Sequence, residues 1–384
     1  MKPTLLLLLA LNLTALSSAQ RLASDQTIGQ IEVVATFSGP MPTGVTVANN
    51  GRIFVNFPRW GDNVEYTVAE VKNGQTQPYP NADINRYAAT DNPSDKLVSV
   101  QSVVVDPTGS RLWILDTGTI QMGPVKPGGA KLIAVDLNTD KVIKKIIFPP
   151  DVALPMTYVN DVRFDLTRGA SGMAFITDST SAGSNGIVVV DLSSGQSWRR
   201  LNDHPSTKPD PQFIPVVEGK ILQLRLPGKA PMRFAVGSDG IAISPDGKTL
   251  YYCPLTSRHL YSVSVDDLVD RGKSDSEVAG TVKDLGEKGG ASDGLESDTS
   301  GRVYLSDYEH NSIHRRNPAG EIETLMHDPR ALWPDTLSLA ADGYLYFTAN
   351  QIERQPPFNN GQDLRQKPYV LFRLKVDGKR IQAK

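Results

Sequence analysis

One pattern occurs six times along this chain: an alternating apolar strand, a tight turn, then a second apolar strand rich in aromatic residues. Residues 44–47 lead through Asn49-Asn50-Gly51 to 52–55, and residues 102–106 lead through Gly109 to 111–116. Residues 160–165 lead through Gly172 to 173–178, and 239–244 through Pro245-Asp246-Gly247 to 250–252. The last two copies run from 293–298 through Gly301 to 303–307, and from 335–339 through Asp342-Gly343 to 344–347. Successive side chains of a strand point to opposite faces, so period-two apolar residues on both sides of a glycine turn predict a hairpin.

Third strands such as 131–136 and 186–191 follow, and a fourth at 141–147. Four short strands in a unit of roughly 40 to 50 residues make the blade of a β-propeller. Six units predict an all-β, six-bladed propeller, and residues 20–384 are read as that one domain. The strand at 31–37 has no hairpin partner. It is expected to close the ring beside 369–374, which removes two exposed sheet edges at once. The segments 59–97, 118–130 and 204–232 are rich in Pro and Gly and read as loops decorating the ring.

The first nineteen residues read as a cleaved signal peptide. Lys2 supplies the positive start, Leu5 to Leu9 begin the apolar core, and Ser17-Ser18-Ala19 the small residues before cleavage. Asn12 and Thr14 interrupt the apolar run, which is too short to span a bilayer. The expected location is therefore secreted or periplasmic, with no membrane insertion of the mature chain. Forty basic residues balance 42 acidic ones without a basic block, which points away from nucleic acid and from an anionic membrane surface. Cys253 is the single cysteine and lies in an apolar strand, so it reads as a buried structural thiol rather than a nucleophile. The five histidines show no zinc spacing, and no G-x-S-x-G, P-loop or dinucleotide fingerprint is present.

Residues that begin the innermost strand of each blade should ring the mouth of the central channel. Here they are Thr43, Gln101, Asn160, Asp239, Asp293 and Asp335. Three carboxylates with amide oxygens form a hard-oxygen set suited to Ca²⁺ or another hard divalent cation. The same carboxylates suit an amine, for which Trp333, Phe358 and Trp60 offer aromatic walls. A bland reading competes: Asp-Gly at a strand start also caps a turn through its own backbone, as expected for Asp106, Asp246 and Asp342.

The run from Val98-Ser99-Val100-Gln101 to Trp113-Ile114-Leu115-Asp116-Thr117-Gly118 resembles the Yellow/major royal jelly protein family. So do Ser197-Trp198-Arg199-Arg200 and Phe347-Thr348-Ala349-Asn350-Gln351 with Arg354-Gln355-Pro356-Pro357-Phe358. The chain lacks the cysteines that insect members commonly carry, which implies an exported, bacterial-type relative. The resemblance implies a propeller whose channel holds a small organic ligand, an aromatic amine in some members, while others convert dopachrome-like compounds. More distantly the chain is similar to the gluconolactonase and senescence marker protein propellers. That similarity implies a divalent metal held by Asp239 and Asp293, with Asn160 touching substrate and Asp293 acting as catalytic base in lactone or ester hydrolysis. Thr43 stands where those relatives have a metal-binding Glu. The leading expectation is ligand binding at the channel mouth. The alternatives are a metal-dependent lactonase-like hydrolase and a surface interaction protein.

Overall fold

All six hairpins form the two innermost strands of four-stranded antiparallel sheets in a computed structural model, which describes residues 25–383. The expected signal segment 1–19 lies outside those residues. The inner strands are Val45–Val47, Val100–Val105, Val159–Asp165, Ser238–Ile243, Leu295–Ser297 and Pro334–Leu339. Each packs against the inner strands of the blades on either side, and the sixth packs against the first. The result is the six-bladed β-propeller read from the repeat. Among the described residues no helix is long and apolar enough to cross a membrane.

Stacking in a ring explains the burial pattern. A blade between two neighbours has two covered faces, so second strands such as Arg111–Thr117 and Met173–Asp178 are buried almost throughout. An outer strand such as Lys141–Ile147 is largely exposed instead. The apolar core is accordingly divided into clusters between blades. One joins Phe54 and Val68 of the first blade to Val103, Leu112 and Ile133 of the second. The ring closes as expected: Ile31–Phe37 runs antiparallel to Tyr369–Lys375, with Ile31 opposite Leu374 and Phe37 opposite Tyr369.

One expectation is corrected. Residues 59–97 are more than a loop, because Val68–Lys72 and Gln75–Pro78 are the third and fourth strands of the first blade. Their turn is Asn73-Gly74, both at positive φ, the pairing that a two-residue hairpin turn favours. Residues 204–232 likewise carry two short hairpins, Val216–Val217 with Lys220–Ile221 and Gln223–Leu224 with Met232–Arg233.

A buried aspartate at the end of a second strand recurs as a tie between strands. Asp116 accepts the backbone N–H groups of Val98 and Ser99 and the Lys131 ammonium at 2.7 Å. Asp178 accepts the Tyr158 N–H and the Arg199 guanidinium. Asp307 accepts the Glu309 N–H and both His310 Nδ1 and His314 Nε2. The two histidines, four residues apart in sequence, thus meet on one carboxylate.

Lys131 and Asp116 are both fully enclosed. Asp116→Ala leaves the Lys131 ammonium with two carbonyl acceptors but no counter-charge, and several backbone donors unpartnered, so it is expected to cost about 3–5 kcal/mol in urea denaturation. Lys131→Met should cost markedly less, because Asp116 keeps its backbone donors. Equal losses would contradict the assignment of Asp116 as the tie.

Candidate functional site

The residues that ring the channel mouth are put there by irregularities in the inner strands. Pairing with the second strand slips between Val100 and Ser102, between Val159 and Val162, between Ser238 and Ile241, and between Pro334 and Leu337. Gln101, Asn160, Asp239 and Asp335 lie within these slips. A bulge turns the strand locally and re-aims its side chain, here towards the channel axis. The glycines after Asp239 and Asp293 serve a different purpose from turn capping. A Cβ on Gly240 would overlap the Asp293 carbonyl oxygen, and one on Gly294 would overlap that of Asp335. Only glycine lets these inner strands approach so closely.

Above this ring is a cavity of about 320 Å³, within the usual size range of small-molecule sites. Gln101, Asn160, Asp239, Asp293 and Asp335 line its floor, and all five are nearly inaccessible to solvent. Trp60, Tyr158, Phe234 and Phe358 form aromatic walls, with Phe234 set edge-on to Phe358. Trp60 Nε1 donates to the Tyr158 hydroxyl at 2.8 Å, and that hydroxyl donates to Gln101 Oε1 at 2.9 Å. The chain of donors holds wall and floor together.

Three carboxyl groups meet on the floor. Asp293 is within hydrogen-bonding reach of both Asp239 and Asp335. Burial raises all three, and mutual repulsion adds to it for Asp239 and Asp335, which lie well above the usual carboxylate range. Burial lifts Asp293 to about 6, against hydrogen bonds that pull it down, the first from Trp333. Trp333 Nε1 donates to Asp293 Oδ2 at 2.7 Å, and Asn350 Nδ2 donates to Asp335 Oδ2 at 2.6 Å. None of the three forms a salt bridge among the described residues. Asp161, one layer below, is already neutralised by Arg163 at 2.8 Å.

Two expected site residues are not on the cavity wall. Trp333 lies behind Asp293, stacked on Tyr308 with ring centres 4.1 Å apart, and is fully buried. It orients the carboxyl rather than facing a ligand. Thr43 is also fully buried, and its hydroxyl accepts from Asn56 Nδ2 at 2.8 Å. Phe358 does line the cavity. Tyr158 and Phe234 were missed in the sequence. Tyr158 stands two residues before Asn160, a same-face spacing that could have flagged it, whereas Phe234 follows an irregular insertion and has no such signal.

The divalent ion implied by the distant similarity does not fit this donor set. Such an ion takes six or more oxygens. Here the position of the missing Glu is turned into the first blade, and the carboxyls face one another, Trp333 and Asn350. Among the described residues no three of His, Cys, Asp and Glu are placed to hold one ion. No hydrolytic step is therefore assigned to Asp293. Cys253 is fully buried, as expected of a structural thiol.

A family model described as "Major royal jelly protein" matches residues 98–378. Protein yellow of Drosophila erecta and of Drosophila melanogaster is each 28% identical over 282 residues, covering 70% of this chain and 48% of the yellow protein. The chain thus spans about half the length of these relatives. Among solved structures, a calcium-binding regucalcin from Agrobacterium tumefaciens has a TM-score of 0.53 at 13% identity, covering 91% of this chain and 98% of its own. A luciferin-regenerating enzyme has a TM-score of 0.55 at 10% identity, covering 93% and 99%. A putative gluconolactonase has a TM-score of 0.54 at 12% identity, covering 92% and 94%. At these identities the likeness is one of fold.

A carboxyl raised by folding holds its proton when the unfolded chain has already released it. Between about pH 4 and the Asp293 value of about 6, its ionisation therefore destabilises the folded state as pH rises. The stability of Asp293→Asn relative to the unsubstituted protein should increase across this interval, as read from urea midpoints. A difference that stays constant with pH would contradict the raised carboxyl.

Proposed function

This chain belongs to the major royal jelly protein family, and we propose that it binds a small aromatic amine at the mouth of its central channel. The observation that carries this reading is the set of three unpaired carboxyls, Asp239, Asp293 and Asp335, beneath aromatic walls. Buried carboxyls without a cation are costly to ionise, so the site favours a ligand that brings positive charge. An ammonium supplies that charge and several donors to share among the three acids. A flat ring above it meets Tyr158 and Phe358, where aromatic faces favour both stacking and a nearby cation. A divalent ion would answer the same charge, but it takes six or more oxygens, and Thr43, at the position of the missing Glu, is turned to Asn56.

The export reading goes with this function. Residues 1–19 direct the chain out of the cytoplasm, and residues 20–384 form the mature propeller that meets ligand outside it.

Tyramine is the probe in the deciding titration, followed by calorimetry on the wild-type protein and on Asp293→Asn. One site is expected, weakened about 10- to 100-fold in the variant, the range for losing a hydrogen bond to a charged group. Affinity should rise as pH passes upward through about 6, where Asp293 ionises while the amine stays charged. Equal binding of 4-ethylphenol, which lacks the ammonium, would overturn the reading. So would saturable Ca²⁺ binding that Asp293→Asn abolishes, together with no response to tyramine.

A further inference from the structure

The two hairpins at 216–233 belong to no blade. They rise over the channel mouth, where Leu224 and Arg233 reach the cavity. In the first, Val216 pairs with Ile221 on one face and Val217 with Lys220 on the other. Phe213, Val217 and Leu222 turn inward and are buried, while Ile214, Val216 and Ile221 turn outward at 57%, 43% and 49% exposure. Packing against the ring requires only the inner face. The outward set has no packing role there, and apolar side chains grouped in this way mark an interaction surface. The group extends around the mouth. Met232 is on the second hairpin, exposed Met122 lines the cavity, and exposed Leu364 lines the groove beside the first hairpin.

The same segment is basic. Residues 204–233 contain Lys208, Lys220, Arg225, Lys229 and Arg233 against Asp210 and Glu218, five minus two or +3, in a chain whose net charge is −2. All five basic residues are exposed, with Lys208 paired to Asp203, just before the segment, at 3.3 Å. Glu218 is taken up by Arg354, whose Nε lies 3.0 Å from Glu218 Oε2. The balanced charge of the whole chain, which argued against an anionic membrane surface, conceals this one-sided face.

We propose that the hairpin face docks on an anionic lipid surface. Ile214, Val216 and Ile221 enter the headgroup boundary, and Lys220, Arg225 and Lys229 meet the lipid phosphates. Outward apolar residues beside a basic rim match the two parts of an anionic lipid surface, its acyl boundary and its phosphates. The cavity mouth then opens towards the bilayer. The docking does not depend on what the cavity binds.

The test is cosedimentation of residues 20–384, which contain every strand of the ring, with phosphatidylcholine vesicles with or without phosphatidylglycerol. Omitting residues 1–19 keeps that apolar segment from contributing. Binding is expected only with phosphatidylglycerol present and should fall at high salt. The triple change Ile214→Ser, Val216→Ser and Ile221→Ser should weaken it roughly tenfold or more, with thermal unfolding unchanged. Lys220→Gln with Lys229→Gln, which touches no apolar packing, should weaken it comparably and flatten its salt dependence. Equal sedimentation with both vesicle types, or unaltered binding by both variants, would overturn the proposal. So would self-association in ultracentrifugation that the triple variant loses, which would give the face to a second copy of the chain.

Discussion

Six inner strands run side by side around one axis, and the space available between their backbones constrains everything else in this molecule. Where Gly240 and Gly294 sit, a single Cβ would collide with the carbonyl oxygen of the next blade. In four blades the inner strand also slips in register, in the fourth blade directly beside Gly240, and the slip presents Gln101, Asn160, Asp239 or Asp335 to the axis. The crowding that closes the ring therefore also builds the ring of polar groups at its mouth. Structure and site arise from one packing problem, because the position that cannot be apolar and cannot face solvent must carry a polar side chain.

That geometry has an electrostatic consequence. Asp116, Asp178 and Asp307 are as deeply buried as the mouth carboxyls, yet each is partnered by a cationic or imidazole side chain and by backbone N–H groups. Their burial is answered within the fold, and they tie strands together. Asp239, Asp293 and Asp335 have instead one another, an indole and two side-chain donors, Asn350 and Thr336. The contrast between paired and unpaired acids on one scaffold separates the structural aspartates from the candidate site more clearly than residue type or spacing does.

The fold was largely legible in the sequence because a propeller repeats its signal. The Gly turn flanked by apolar alternation occurs in every blade, and the orphan strand 31–37 had one logical partner. The outer strands of the first blade were harder, since Val68–Lys72 is short and Gln75–Pro78 is polar and half exposed, and only Asn73-Gly74 marks their turn. For the site, blade position identified the floor, because homologous positions in a ring face one axis. It failed at Thr43, where the first blade begins without a register slip and the side chain turns to Asn56. It could not distinguish Trp333 behind a carboxyl from an aromatic wall, nor foresee Phe234, since neither depends on the repeat. His310 and His314 met on Asp307 through hairpin pairing that a count of residues between them does not convey.

The most direct measurement is a crystal structure of the protein grown with tyramine. The account predicts its ammonium within hydrogen-bonding distance of Asp293 and at least one of Asp239 and Asp335, with the ring against Tyr158 or Phe358. A metal ion held by Asp239 and Asp293 with no amine beside it, or tyramine bound away from the channel mouth, would contradict the account.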